Sequence, residues 1–461
     1  MKNQLTMALC LTPYKDRAFD TISIPLGIAW IYSYMEKYLP QVNIDVFDFL
    51  LEPELEDELF QRIRCGTIDI LGIQAHSNAT AHEAIRISQN AKEINENIIV
   101  IIGGNAATFA SQFFMKSGVV DFVVFGEGEI TLKELLNHIL NNNNEYGDIK
   151  GISYICDGKI LKTQPRDLID DINSLPLPNR KVFHWEKYPQ WSLMTSRGCP
   201  FSCSYCSSTK FWGKRIRFRN ADNVYEEIQT LVNEFHVKRL YILDDTFGVN
   251  REQTTILLNR IIDNNISLEW ACLTRAEIMY EEYLDLFKRA GCVQVHFGLE
   301  TANIETQSLI NKHLDINYLT KMVRYAQSIS LRTKLSVIFG LPNETEEHIL
   351  NTINYLLDMR PNEVQIYPLM PYIGIDILEN DSIKEIEKGK HYWKQDALIP
   401  LTESSSLPTE RQKELTQLAI HEFQKIGYKW IPMDMNPEKH DEERIIKTVF
   451  APIQGIKRNQ D

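Results

Sequence analysis

Strand-length apolar runs alternate with amphipathic stretches of helical period along most of this chain. A β-α-β-α order of that kind calls for a parallel sheet covered by helices on both faces. The alternation runs twice. In residues 1–150 the predicted strands centre on Met7–Leu11, Val42–Phe47, Ile68–Ile73, Ile98–Ile102 and Phe122–Phe125. Between them lie helical stretches such as Ile28–Tyr38, Ala81–Ile94 and Ile130–Leu140, and the pattern predicts a doubly wound α/β domain. Residues 151–190 read as a hairpin around Asp157-Gly158 followed by a linker marked by Leu175-Pro-Leu-Pro-Asn179. Six further βα repeats in 191–390 predict a partial (β/α)6 barrel, with reactive groups expected at the C-terminal ends of its strands. Residues 391–461 read as a helical C-terminal region, with Glu410–Ile426 its clearest amphipathic helix.

Charge and cysteine usage narrow the function. A formal charge of −13 argues against a protein built to neutralise a phosphate backbone, so nucleic acid is not expected as a partner. The run Lys210-Phe-Trp-Gly-Lys-Arg-Ile-Arg-Phe-Arg219 is the exception that leaves RNA open, and it reads rather as a loop whose charges are solvated or paired with acids. The first residues carry no signal-peptide pattern and no run approaches bilayer length, which predicts a cytoplasmic protein with no membrane association. Eight cysteines in 461 residues are too sparse for a disulfide scaffold. Cys10, Cys65, Cys156, Cys272 and Cys292 are scattered in apolar surroundings and read as buried, inert thiols.

The other three crowd together in Gly198-Cys-Pro-Phe-Ser-Cys-Ser-Tyr-Cys206, directly after the first strand of the second alternation. Thiolates at spacings of four and three wrap a loop around one metal centre, zinc or iron–sulfur. No second Cys or His pair follows to close a zinc site, so three ligands with an open position fit a [4Fe-4S] cluster better. Structural zinc and a chance grouping of thiols are the alternatives.

This Cys-x3-Cys-x-aromatic-Cys loop resembles the hallmark of the radical S-adenosylmethionine (SAM) superfamily, and the resemblance covers residues 191 to about 370. It implies that Cys199, Cys203 and Cys206 hold the cluster and that the fourth iron chelates SAM. The cluster then cleaves SAM reductively to a 5′-deoxyadenosyl radical, with an electron donor such as flavodoxin or ferredoxin. It further implies SAM contacts at consecutive strand ends: Tyr205 near adenine, Asp244 or Asp245 on the ammonium, Arg275 on the carboxylate, Glu300 on the ribose, and the turn holding Gly340 and Pro342 under the adenosine. The bland readings of these residues are a loop aromatic, a helix cap and surface ion pairs. No catalytic acid or base is identifiable.

Three strand-to-helix loops of the first domain carry Pro25-Leu26-Gly27, Gly103-Gly104-Asn105 and Gly126-Glu127-Gly128-Glu129. That edge is where open α/β sheets bind ligands, and glycines there let backbone approach a large molecule. Ahead of a cysteine-bearing barrel, this series resembles the cobalamin (B12)-binding class of radical SAM proteins, over roughly residues 1–400. The resemblance implies a Rossmann- or flavodoxin-like first domain that binds cobalamin through those residues. The loops at 12–17 and 74–78 lack Asp-x-His-x-x-Gly, which implies that the cobalamin base is displaced without a histidine replacing it; His76 reads as a polar helix-entry residue. The implied activity is C-methylation of an unactivated carbon in a small-molecule or peptide natural-product or cofactor precursor, as in class B radical SAM methyltransferases. A cobalamin-dependent rearrangement, ring contraction or cyclisation is the rival among enzymes, and a cobalamin or redox sensor the rival outside them.

Overall fold

The structure is a computed structural model that describes residues 4–13, 23–76, 78–369, 374–376, 407–432 and 444–448. The predicted polar tail 457–461 and part of the loop at 12–17 lie outside the described residues.

The first sheet contains β1 (Leu5–Leu11), β2 (Val42–Asp48), β3 (Ile70–Gln74), β4 (Ile99–Gly103) and β5 (Phe122–Val124), parallel in the order β2-β1-β3-β4-β5. Alternate residues of β1 serve opposite faces. Met7, Leu9 and Leu11 pack with α1 (Leu26–Tyr38), while Ala8 and Cys10 share a core with α2 (Leu55–Arg64) and α3 (Asn78–Ile94). Burial on both faces is why these strands read as continuous apolar runs. Two short helices, α4 (Asn105–Phe109) and α5 (Ser111–Met115), follow β4, and α6 (Gly128–Leu140) follows β5. This strand order has its switch point beside β1, so the ligand crevice opens at the C-terminal ends of β1, β3 and β4.

The hairpin departs from the sequence reading. Its strands β6 (Ile152–Cys156) and β7 (Lys159–Lys162) are not part of a free linker but extend the first sheet, antiparallel to β5. The segment after it lies across both halves of the molecule. Asn179 donates its N–H to the Ser33 hydroxyl at 2.8 Å, and Lys187 pairs with Glu52 at 2.5 Å on the first domain. Arg180 reaches the other way, to Glu227 at 2.5 Å.

The second domain begins with β8 (Ser192–Leu193), then an antiparallel pair, β9 (Ser196–Arg197) with β10 (Arg217–Phe218), separated by α7 (Ser208–Trp212). The remaining barrel strands are β11 (Arg239–Ile242), β12 (Glu269–Thr274), β13 (Cys292–Glu300), β14 (Arg332–Phe339) and β15 (Glu363–Pro368). The helices between them are α8 (Ala221–Glu234), α9 (Arg251–Asp263), α10 (Glu281–Arg289), α11 (Ile304–Leu309), α12 (Ile316–Ser328) and α13 (Glu346–Met359). The short β8 and the five longer strands β11 to β15 are all parallel and lie side by side in chain order.

Beyond them α14 (Thr409–Lys425) packs on α13, as its amphipathic pattern predicts. The C-terminal region is not purely helical, however. Two more parallel strands, β16 (Lys429–Pro432) and β17 (Ile445–Thr448), extend the sheet in the order β16-β17-β15. A buried charge draws β17 in: Lys447 and Lys334 flank Glu363 at 3.1 and 3.2 Å. Burial alone would raise the Glu363 carboxyl, but the two ammonium groups outweigh it and hold it at about 2. Among the described residues no helix is long and apolar enough to cross a membrane.

Candidate active site

The cluster loop hangs from two fixed points. Gly198 takes φ +105, and a Cβ there would sit 2.6 Å from the Arg215 carbonyl, so the chain passes too close to the backbone leading into β10 for any side chain. On the other flank, Asp244 is buried and accepts from the Thr195 N–H at 2.6 Å and the Ser196 hydroxyl at 2.6 Å. Its carboxylate is thereby spent on holding the chain that leads into Cys199. The neighbouring Asp245 is only half-buried and takes one bond, from the Ser208 hydroxyl at 2.8 Å, which leaves acceptor capacity facing the site. Burial pushes its carboxyl up to about 6.

Cys199, Cys203 and Cys206 are each partly buried and none is in a disulfide. Two receive N–H donors suited to a thiolate: Arg275 Nη1 lies 3.5 Å from the Cys203 sulfur, and the Ser208 N–H 3.5 Å from that of Cys206. Burial raises the Cys199 and Cys206 thiols, and coordination to iron removes such protons outright. Among the described residues no three His, Cys, Asp or Glu side chains converge as ligands of one metal ion. A cubane, whose thiolates attach to different irons, does not require that convergence. Of the five scattered cysteines, Cys10, Cys272 and Cys292 are buried as expected, but Cys65 and Cys156 are exposed. Cys65 ends α2 and Cys156 lies at the hairpin turn, beyond the cores that would cover them.

Opposite the cysteines stands a hydrogen-bonded wall. Glu300 accepts from the Tyr205 hydroxyl at 3.0 Å and from Lys312 Nζ at 3.1 Å. It reaches them because its backbone is left-handed, φ +63, at a register shift between β13 and β14, and because residue 298 is glycine. A Cβ on Gly298 would lie 2.3 Å from Glu300 Oε1. The Arg275 guanidinium lies 3.8 Å over the Phe201 ring and donates to the Lys312 carbonyl at 2.7 Å, which ties the ends of β12 and β13 to the cluster loop. Lys312 escapes the sequence reading because Asn311-Lys312-His313 matches no motif.

The last strand-end turn is organised by Glu344. It accepts from the Gly340 and Leu341 N–H groups at 2.7 and 3.2 Å and is fully buried, beside Pro342, which is half-buried. Gly340, at φ +88, leaves only 2.5 Å between a would-be Cβ and Gln412 of α14. Burial pushes the Glu344 carboxyl up to about 8. A carboxyl that binds its proton more tightly when folded favours the fold at low pH and loses that advantage as pH rises from about 4.5 through about 8. The midpoint of thermal unfolding is therefore expected to fall across that window, by an equivalent of about 5 kcal/mol. Glu344→Gln, which keeps an acceptor for both N–H groups, should flatten the profile; scans at closely spaced pH values check it.

In the first domain the three glycine-bearing loops meet at one edge. Gly104 takes φ +101 and sits so close to Ala75 that a Cβ would lie 2.7 Å from its carbonyl oxygen. Gly103, Gly104, Asn105, Gly126 and Gly128 keep partly accessible backbone, and Gly27 is exposed. Pro25 is half-buried at the start of α1. Leu26 instead packs with Trp30, Ile169, Ile172 and Leu175 of the segment after the hairpin. His76 is solvent-accessible on the same edge, yet desolvation lowers its imidazole pKa.

Glu127 and Glu129 turn away from that edge and into the barrel. Arg197 meets Glu127 at 2.6 Å and Glu129 at 2.7 Å, and Arg217 meets the second oxygen of Glu127 at 2.6 Å. Glu127 also accepts from the Ile169 N–H at 2.8 Å. All four side chains are at most 5% exposed, and Arg197 lies between the Trp30 and Trp212 rings at 4.9 and 5.1 Å. Two cations of the basic run, Arg217 and Arg219, are thus consumed in buried ion pairs, the latter with Glu227 at 2.5 Å.

A doubly wound domain with a glycine-lined strand-end edge, joined through buried charges to a barrel with three cysteines at its mouth, defines a two-cofactor enzyme architecture. Family models agree: a B12 binding domain matches residues 17–136 and the Radical SAM superfamily matches residues 193–356. An uncharacterized methyltransferase of Pyrococcus horikoshii, PH0819, is 30% identical over 413 residues, covering 88% of this chain and 89% of that one. The anaerobic magnesium-protoporphyrin IX monomethyl ester cyclase of Rubrivivax gelatinosus is 28% identical, covering 76% of this chain and 65% of its own. Among solved structures, the radical SAM methyltransferase TsrM of Kitasatospora setae, with cobalamin and a [4Fe-4S] cluster bound, shares the fold. Its TM-score is 0.70 at 17% identity, covering 82% of this chain and 75% of that one. The chain belongs to the radical SAM superfamily, in the class that carries a B12-binding domain, and its cofactors are a [4Fe-4S] cluster, SAM and cobalamin.

Proposed function

We propose that this enzyme methylates an unactivated carbon of a small-molecule or peptide precursor. The observation that carries the reading is the way the two strand-end edges meet. The Glu127–Glu129 loop of the first domain is ion-paired to Arg197 just ahead of the cluster loop, and Phe109 at the end of α4 packs against Phe211 just after it, at 6.4 Å. Both cofactor edges therefore border one space. When bound there, the cluster and SAM supply a radical that takes a substrate hydrogen, and cobalamin supplies the methyl group.

In this reading Cys199, Cys203 and Cys206 hold the cluster, and the open oxygen of Asp245 receives the SAM ammonium in preference to Asp244, whose acceptors are occupied. Arg275, which pairs with Glu277 at 2.5 Å in this structure, exchanges that partner for the SAM carboxylate, Glu300 with Tyr205 and Lys312 faces the ribose, and the Gly340–Pro342 turn supports the adenosine. The backbone of Pro25–Gly27, Gly103–Asn105, Gly126 and Gly128 lines the corrin. A low-potential donor such as flavodoxin or ferredoxin supplies the electron.

The test is anaerobic turnover with SAM, a reductant and a panel of acceptors, using SAM deuterated in its methyl group. A product in which one C–H hydrogen has been replaced by CD3 is expected, heavier by a CH2 unit with unlabelled SAM and by three deuterium increments more with the labelled one. The similarity to the cyclase supports a second reading, cobalamin-dependent ring formation, and a product without label alongside 5′-deoxyadenosine would decide for it.

A further inference from the structure

The loop Gly126–Glu129 has two faces. A Cβ placed on Gly126 would meet nothing within 4 Å, so that side of the loop is open, toward the edge where cobalamin binds. The glutamates between and after the glycines point the other way and are buried against Arg197 and Arg217. Arg197 is two residues ahead of Cys199, on the strand β9 that pairs residue for residue with Arg217 of β10. One short loop thus touches the cobalamin edge with its backbone and the root of the cluster loop with its side chains.

A cluster of two carboxylates and two guanidiniums is a costly way to join two domains, since apolar residues of similar volume often serve as well or better for stability. What such a cluster supplies is register, because a guanidinium fork accepts its carboxylates in few geometries. The pair of Trp rings about Arg197 removes further freedom. We infer that Arg197, Glu127, Glu129 and Arg217 are positioning residues that fix the distance and orientation between the cobalamin edge and the iron–sulfur cluster. The inference rests on both cofactors being held by this chain and not on methyl transfer: an enzyme that loads both centres and forms no methylated product leaves it intact.

The experiment is pulsed EPR on the holoenzyme with its cluster reduced and its corrinoid as cob(II)alamin, reading the dipolar coupling between the two centres. The wild type is expected to give one narrow distribution. Glu129→Gln, with iron and corrinoid content retained, should broaden it about twofold, as expected when a geometry held to roughly 0.5 Å is released. A distribution of wild-type width in Glu129→Gln overturns the inference. If that variant fails to retain both centres, Arg197→Lys carries the same measurement, since it keeps the charge and loses the fork. Broadening there supports the inference, and wild-type width overturns it.

Discussion

Cys203→Ala is expected to yield a folded chain with little bound iron, no broad iron–sulfur absorbance, and 5′-deoxyadenosine formation at background. The loop around Cys203 is held by other residues, namely Gly198 against β10, Asp244 on Thr195 and Ser196, and Asn311 Nδ2 on the Ser202 carbonyl at 2.7 Å. Removing one partly buried sulfur costs the fold little, whereas a cluster left with two protein thiolates has lost its anchorage. Iron and sulfide analysis after anaerobic purification reads the first effect, and chromatography of SAM cleavage products the second. Cys65→Ala is the control. That thiol is exposed at the end of α2, and its loss should leave iron content unchanged and stability within about 0.5 kcal/mol.

Arg197→Ala is expected to be the most damaging single substitution for stability. It strips both guanidinium contacts from Glu129 and from one oxygen of Glu127 in a site where those carboxylates are at most 5% exposed, and it empties the space between Trp30 and Trp212. Breaking a buried pair from one side costs about 3–5 kcal/mol, because the remaining charge cannot be rehydrated. The apparent melting temperature should fall by roughly 3–5 °C for a chain of this size. Arg215→Ala supplies the contrast from the same basic run. Arg215 pairs with Asp170 where both side chains are more than two thirds exposed, and its loss should move stability by less than about 1 kcal/mol. Parallel scanning of the two variants checks the difference.

The basic run shows where reading by composition stops. Arg215, Arg217 and Arg219 are alternate residues of one strand-like segment, and nothing local separates a solvated arginine from two buried ones. The separation comes from Glu127, ninety residues earlier in the first domain, and from Glu227, two turns into the following helix α8, which the fold brings onto this segment. The neighbouring aspartates behave alike. Asp244 and Asp245 are equivalent in the sequence, yet only tertiary structure turns Asp244 into the anchor of the cluster loop and leaves Asp245 with a free acceptor.

Two elements were not among the predicted ones. The helix α2, Leu-Glu-Asp-Glu-Leu-Phe-Gln-Arg-Ile-Arg, places Leu55, Leu59, Phe60 and Ile63 at helical spacing, and all four pack on the first domain's core, so its pattern was legible in the sequence. β17 carries a lysine where a core strand would carry an aliphatic residue, and it joins the sheet because that lysine finds Glu363.

The sequence by itself determined the two α/β units, because strands buried on both faces must be apolar along their whole length. It also singled out Cys199, Cys203 and Cys206 as the candidate cluster ligands, since three thiolates on one short loop need no distant partner to stand out, and it marked Gly104 and Gly340, where no other residue fits. Only the tertiary structure decided which charges keep free acceptors at the strand ends and which hold the domains together. Charge pairing depends on distances between segments far apart in the chain, and burial then sets whether each pair is worth almost nothing or several kcal/mol.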